Sequence, residues 1–248
     1  GRYKILDPVI LHLAKEDQEQ EHRNRLAEAD IVLAQLTSDQ YHIPYLRSNV
    51  IKHQLGDRSI IWPNIFYAGQ QPYLRYFSSA CGGRLLGPLE AMHDLRIYAR
   101  WRASRGLTGP FPEDFVNQEF ERSVQQTSTE DLRKKEAGCD VEISDIISSE
   151  RSSDRQFFTF NHPARVILEV LSNRILSKLG ENGPVEWNDG SEPLARYLVP
   201  SSWQAETAPE YKGNPCLINE DGSVSIDPTP SIYTLSELEE AFVIIHAS

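Results

Sequence analysis

The sequence predicts an α/β fold: a mostly parallel sheet with flanking helices, a helical insertion and an irregular C-terminal extension. Three observations predict it. Short apolar runs recur at Ile31-Val32-Leu33-Ala34, Ser59-Ile60-Ile61-Trp62 and Phe157-Phe158-Thr159-Phe160. Each has the length of a strand, is rich in β-branched or aromatic side chains, and is continuously apolar, as in strands covered on both faces. Helical patterns lie between the runs, and that alternation favours a doubly wound core.

Along the chain, Tyr3 to Ile10 is a further strand candidate, weakened by Pro8, which cannot donate to a ladder. Glu19 to Glu28 reads as a polar helix leading to Asp30, ahead of the Ile31 run. Tyr45 to Leu55 is amphipathic, with Leu46, Val50 and Ile51 on one side and Gly56 as its stop. Pro112 to Val124 begins with proline in the first turn, where a missing N–H is harmless. Ser128-Thr129-Glu130-Asp131 starts another helix that runs towards Ala137 and stops at Gly138. Pro163 to Leu179 has proline at its start, Gly180 at its end, and Ile167, Leu171, Ile175 and Leu179 down one face.

Residues 181–230 are rich in Pro, Gly, Asn, Asp and Ser and read as loops with a hairpin. Thr234 with Glu237 three residues on signals a capping box and a final short helix. The expected organisation is a core over 1–180, with a helical elaboration at about 85–150, and a loop-rich extension over 181–248 packed on it.

Composition narrows the function. A net charge of −11 over 248 residues argues against a nucleic-acid partner, since duplex affinity comes mainly from Lys and Arg on phosphates. An anionic ligand must therefore meet a local cluster of donors. Cys81, Cys139 and Cys216 show neither ligand spacing nor a disulfide framework, so no metal is expected and a reducing cytoplasm is the simplest compartment. No apolar run approaches the roughly 20 residues needed to span a bilayer. There is no GxSxG elbow, GxxxxGK[ST] loop or HExxH helix, which removes the common serine hydrolases, P-loop enzymes and zincins.

In open parallel sheets ligands bind beyond the carboxyl ends of the strands. The runs end at Gln35, at Pro63-Asn64 and at Asn161-His162. The plainer alternative is that Gln35 and Asn64 satisfy loop backbone. With Pro163 at the first helical position, Asn161 or His162 is the expected N-cap. The helix dipole there disfavours imidazolium, leaving His162 neutral and able to act as a general base, and Arg165 in the same turn would favour an oxyanion or phosphate. A cap that merely closes the helix is the competing reading. His93-Asp94, after the glycine-rich Cys81 to Pro88, is a second candidate, in which the carboxylate orients the imidazole or acts on a hydroxyl. Cys81 reads as structural rather than nucleophilic.

Several of these stretches carry a family resemblance. Ala29 to Gln35, Trp62-Pro63-Asn64-Ile65-Phe66-Tyr67, Met92 to Ile97, Asp131 to Glu136 and Phe160-Asn161-His162-Pro163 resemble the WcbI family of polysaccharide biosynthesis acetyltransferases. Order and spacing match over roughly residues 3–200, and Asn-His-Pro before a long helix is the most specific element. The resemblance implies an acetyl-CoA-dependent enzyme that moves an acetyl group to a sugar hydroxyl of a capsular or surface polysaccharide. Such proteins open with a strand leading to a Gly-Asn-Cys-Gln turn, which would fall before Gly1, and this sequence contains no such motif.

On that reading His162 deprotonates the acceptor, and Asn161, Gln35 or Asn64 donates to the developing oxyanion. His93 and Asp94 complete the catalytic candidates. Gln35, Asn64, Arg84 and Arg165 are the expected coenzyme contacts, and Lys134-Lys135 reads better as a solvated helix face. A glycan esterase using the same base on water, and a non-catalytic sugar- or nucleotide-binding module, are the alternatives.

Overall fold

The computed structural model describes residues 3–78, 82–107, 117–147, 155–181, 183, 190–201, 210–214 and 216–247. Two compact units divide the chain. The first comprises Gly1–Asn64, Arg133–Ser144 and Val170–Val185, and the second Ile65–Leu132, Asp145–Glu169 and Glu186–Ser248.

In the first unit, strands β1 (Val32–Gln35) and β2 (Ser59–Trp62) pair in parallel, from Val32 opposite Ser59 to Gln35 opposite Trp62. Helix α1 (Glu19–Glu28) precedes β1, and α2 (Ser48–Leu55) forms the crossover that a parallel pair requires. Helix α1 is mostly solvated: its Arg23–Glu19 and Arg25–Glu21 pairs, both 2.6 Å, are one turn apart. Its one buried residue, His22, has Nδ1 2.9 Å from the Tyr45 hydroxyl, against the apolar cluster of Ala14, Ile43, Tyr45 and Leu46. The other edge of β2 is closed by Asp140. Its backbone N–H donates to Ile61 O and its carboxylate accepts from Ile61 N, each at 2.8 Å.

The second unit is built from antiparallel pairs. Strand β3 (Leu74–Tyr76) pairs with β4 (Met92–Asp94), which leads directly into α3 (Leu95–Ser104). Strand β5 (Phe157–Thr159) pairs with β6 (His162–Pro163) through an irregular hairpin. Strand β7 (Tyr211–Gly213) pairs with β10 (Ser231–Tyr233), and β8 (Cys216–Ile218) with β9 (Val224–Ile226). Helix α6 (Leu235–Ala247) follows β10. The core holds Leu74, Leu89, Met92, Ile97, Phe160, Tyr197, Tyr211, Leu238 and Phe242.

Helices α4 (Gln118–Glu136) and α5 (Arg165–Lys178) complete the described elements. None of the described helices is long and apolar enough to cross a membrane.

Backbone bonds explain why the Phe-rich run is buried. Val199 N–H donates to Phe158 O at 2.9 Å, and Tyr67 N–H to Phe160 O at 2.7 Å. Gln70 accepts from Phe157 N–H and Gln71 donates to Phe157 O, each at 3.1 Å. Four polar groups thus satisfy a segment whose side chains face the core.

Several expectations are corrected. The sheet is not mostly parallel: of the five two-stranded sheets among the described residues, only β1–β2 is parallel. A buried apolar run looks the same in either arrangement, and the tight turn at Phe160-Asn161 sends the chain straight back beside β5. Tyr3 to Ile10 forms no strand; Ile5 is 90% exposed and the first regular turn is 3-10, Leu11–Leu13. Ser128 starts no new helix. Thr129 donates its hydroxyl to Gln125 O at 2.9 Å and Ser128 accepts from Ala68 N at 3.3 Å, so α4 runs through both without a cap. The proposed start at Pro112 lies outside the described residues. Helix α5 begins at Arg165, because Pro163 belongs to β6.

Glu19–Glu28 is helical as expected, and so is the segment after Thr234. There Thr234 N–H donates to the Glu237 carboxylate at 2.8 Å and Glu237 N–H to the Thr234 hydroxyl at 3.3 Å, a complete capping box.

Candidate active site

The β5–β6 hairpin carries the most chemically suggestive group. Thr159 is fully buried, and its hydroxyl lies 2.8 Å from His162 Nδ1 and 2.9 Å from Asn161 Oδ1. The Asn161 amide points its nitrogen at the Tyr76 hydroxyl, 3.2 Å away, so its oxygen faces Thr159. A hydroxyl has a single proton. Thr159 spends that proton on Asn161 Oδ1 and must accept from His162, which places the imidazole proton on Nδ1. Nε2 then carries the lone pair, the arrangement a general base needs.

The imidazole is positioned by strand pairing and stacking rather than by a helix cap. His162 is opposite Thr159 in the hairpin, and its ring lies 5.8 Å from the Tyr197 ring at 19°. Burial lowers its pKa below the ordinary 6.5, against a smaller opposing effect of the Glu90 carboxylate. The expected neutrality therefore has a different cause from the helix dipole. Glu90 is held in the left-handed region, at φ 56°, by a turn in which its carbonyl accepts from Gly87 N–H at 2.6 Å.

Tyr76 joins this group to Arg84. The Arg84 guanidinium stacks 3.9 Å from the Tyr76 ring centroid, brought there by the bridge between Ser78 and Arg84 and by Leu85 N–H bonding Phe77 O. Arg84 is solvent-exposed and so presents donors outward. The Phe66, Tyr76 and Phe160 rings also line a cavity of about 290 Å³.

The other expected residues are placed differently. His93 is 3% exposed, with Nε2 3.0 Å from Leu85 O and its ring stacked 4.7 Å from Phe77. Asp94 is the N-cap of α3, accepting from Arg96 N–H at 2.9 Å, and is paired with the Arg96 guanidinium at 2.5 Å and the Tyr211 hydroxyl at 3.1 Å. Both side chains are committed to packing and capping. Arg165 donates its backbone N–H to the Glu192 carboxylate at 2.8 Å and lies 3.6 Å from Glu169. A carboxylate thus occupies the helix start where a phosphate was expected.

Gln35 and Asn64 belong to the first unit, where Gln35 ends β1 half-buried and Asn64 lies exposed just past β2. They follow the carboxyl ends of the parallel pair, as expected from the sequence. Cys81 lies outside the described residues. Cys139 is pushed up to about 11 by burial, with Glu136 and Asp140 adding to the effect, and is a poor nucleophile. Among the described residues no cluster of His, Cys, Asp and Glu could hold a metal ion.

Sequence reasoning missed Thr159, Tyr76, Glu90 and Tyr197. For Thr159 a signal was available: it is the one hydroxyl inside an otherwise all-Phe run. The others come from distant segments and carry no local mark.

The model of the family described as polysaccharide biosynthesis enzyme WcbI matches residues 5–184. A solved structure of WcbI, described as a novel polysaccharide biosynthesis enzyme, shares the fold with a TM-score of 0.61 at 14% identity. The match covers 96% of this chain and 84% of that one, which is the native protein without a disulfide bond between coenzyme A and one of its cysteines. No protein of curated function matches the chain.

Proposed function

The chain belongs to the WcbI family of polysaccharide biosynthesis enzymes, and on that premise we propose that it is a coenzyme A-dependent O-acetyltransferase. Its acceptor is a sugar hydroxyl of a capsular or other surface polysaccharide, and acetyl-CoA is the donor. Use of that donor fits a cytoplasmic location.

One observation carries the reading: the contact of Thr159 with His162 Nδ1 leaves the lone pair on Nε2, in a ring that burial keeps uncharged. In this mechanism Nε2 takes the acceptor hydroxyl proton as the oxygen attacks the thioester carbonyl. The carbonyl oxygen becomes negative and accepts from the second N–H of the Asn161 amide, the first being held by Tyr76. Collapse expels the coenzyme thiolate, which takes back the proton from His162, so the base is regenerated. Coenzyme A bound to the related protein supports the choice of donor.

Arg84 is the first candidate for the coenzyme phosphates, because its guanidinium is exposed and fixed on Tyr76. Arg165 is the weaker one, since Glu169 and Glu192 already face it. Gln35 and Asn64 remain coenzyme-contact candidates within their own unit. His93 and Asp94 act in this reading as packing and capping residues, not as reacting groups.

The test is transfer from acetyl-CoA by a His162→Ala variant. Turnover should be abolished while coenzyme A affinity, measured by calorimetry, stays within a few-fold. Near-normal turnover would remove His162 as the base.

A further inference from the structure

The second unit contains a cavity of about 290 Å³ that the mechanism above does not use. It borders the hairpin that carries the candidate base through two of its lining residues. One wall is Phe160, the residue before Asn161, and another is Tyr76, whose hydroxyl takes the Asn161 amide at 3.2 Å. The Phe66 ring lies 4.7 Å from the Phe160 ring at a tilt of 32°, and Tyr76 meets Phe160 edge-on at 4.9 Å, so three aromatic side chains cluster in the lining. Ser123 and Thr127, one turn apart on α4, add hydroxyls to the lining.

Arg75 supplies the charge. Arg75 is one of the lining residues, and its guanidinium donates to its neighbour's carbonyl, Leu74 O, at 2.7 Å, and lies 5.8 Å from the Phe120 ring. Among the described residues no carboxylate pairs with it. Burial alone depresses its pKa, with no counter-charge offsetting the effect.

We propose that this cavity is the acceptor subsite and that it takes one sugar ring bearing a carboxylate, a hexuronic acid residue. This rests on the sugar-acceptor reading above and specifies its substrate class. Size decides against the coenzyme. At 290 Å³ the space is at or below the low end of ligand sites, about 300–1,000 Å³, and suits a single ring rather than a nucleotide with its pantetheine arm. The aromatic cluster matches the apolar C–H face of a pyranose. The Ser123 and Thr127 hydroxyls match its hydroxyl groups. A guanidinium offers the two parallel N–H donors that a carboxylate accepts. A neutral sugar would leave Arg75 without a counter-charge, and an inorganic anion would leave the rings uncovered.

Direct binding tests this. Glucuronic acid, glucose, inorganic phosphate and coenzyme A are titrated into the wild-type protein and into Arg75→Leu and Thr127→Trp variants, followed by saturation-transfer NMR. Glucuronic acid should bind the wild type about ten-fold or more tightly than glucose, and Arg75→Leu should erase that preference. Thr127→Trp, at an exposed helix position, should block both sugars and leave coenzyme A unchanged. Equal binding of glucose and glucuronic acid overturns the proposal. So does phosphate binding as tight as that of glucuronic acid, or a loss of coenzyme A affinity in Thr127→Trp. If coenzyme A binds no form of the protein, it is the transferase reading that fails, whatever the sugars do.

Discussion

The Thr159 hydroxyl lies between His162 Nδ1, at 2.8 Å, and Asn161 Oδ1, at 2.9 Å. Three residues of one hairpin thereby fix a tautomer. Strand β5 buries Thr159, the turn presents Asn161, β6 presents His162, and Tyr76 holds the far end of the amide. Local geometry, rather than a distant carboxylate, orients the proposed base.

Removing that hydroxyl should therefore damage chemistry before binding. Thr159→Val keeps the shape and leaves His162 Nδ1 without its acceptor. We expect turnover to fall about ten-fold or more, with little change in KM for acetyl-CoA. Thr159→Ser should behave as wild type. The valine variant should also lose about 1 kcal/mol in urea unfolding, because the half-buried Asn161 and His162 each lose a hydrogen-bond partner. Unchanged turnover in Thr159→Val would show that the hydroxyl does not orient the imidazole.

The pH dependence follows from burial of His162, which lowers its pKa below 6.5. The acidic limb of kcat/KM should thus have its midpoint below 6.5, with the base fully active at neutral pH. The same shift acts on stability. As pH falls from the unfolded value near 6.5 to the lower folded one, the unfolded chain binds a proton that the native protein refuses, so stability drops across that window. Below the folded value no further loss arises from this group. His162→Gln should flatten that part of the stability profile, measured by urea titration at stepped pH. A midpoint above 6.5 in the rate profile would contradict the burial argument.

The elements legible in the sequence were those set by local chemistry. Glu19–Glu28 is framed by its own charge pairs, and Thr234 with Glu237 closes its helix within four residues. Strand direction was not legible, since Phe157–Thr159 is equally apolar whether its neighbour runs with it or against it. His162 stood out by residue type and by the following proline. Its setting did not, because Tyr197 and Glu90 reach it from 35 and 72 positions away, and Tyr76 reaches the adjoining Asn161 from 85. Asp94 illustrates the converse: beside a histidine it reads as chemistry, yet a carboxylate at a strand–helix junction also makes an ideal cap.

Asp94 should accordingly matter to folding. It is fully buried and bonded to Arg96 and Tyr211, and it caps α3. Asp94→Ala leaves the largely buried Arg96 guanidinium without its partner, at a cost of about 3–5 kcal/mol. Asp94→Asn retains a cap and should cost less. Chemical denaturation measures both. Activity per folded molecule should be preserved in Asp94→Asn. A selective loss of kcat at unchanged stability would instead assign the carboxylate to the reaction.

Asp140 makes the corresponding test in the first unit. Its carboxylate accepts from Ile61 N–H at 2.8 Å and from Lys52 Nζ at 2.7 Å, closing the outer edge of β2. Burial raises its pKa, but the bonds from Lys52 and Ile61 outweigh that effect and the net shift is downward from 3.8. Its contribution is therefore complete above the unfolded value and is lost as pH falls through the lower folded one. Asp140→Ala should cost about 1–3 kcal/mol at neutral pH, chiefly by stranding the Ile61 amide. The Lys52 pair is partly solvated and adds little. Lys52→Met should consequently be milder than Asp140→Ala, and raising the salt concentration should change the aspartate's contribution only slightly. If Lys52→Met and Asp140→Ala prove equally damaging, the ion pair rather than the strand-edge bond holds β2 in place.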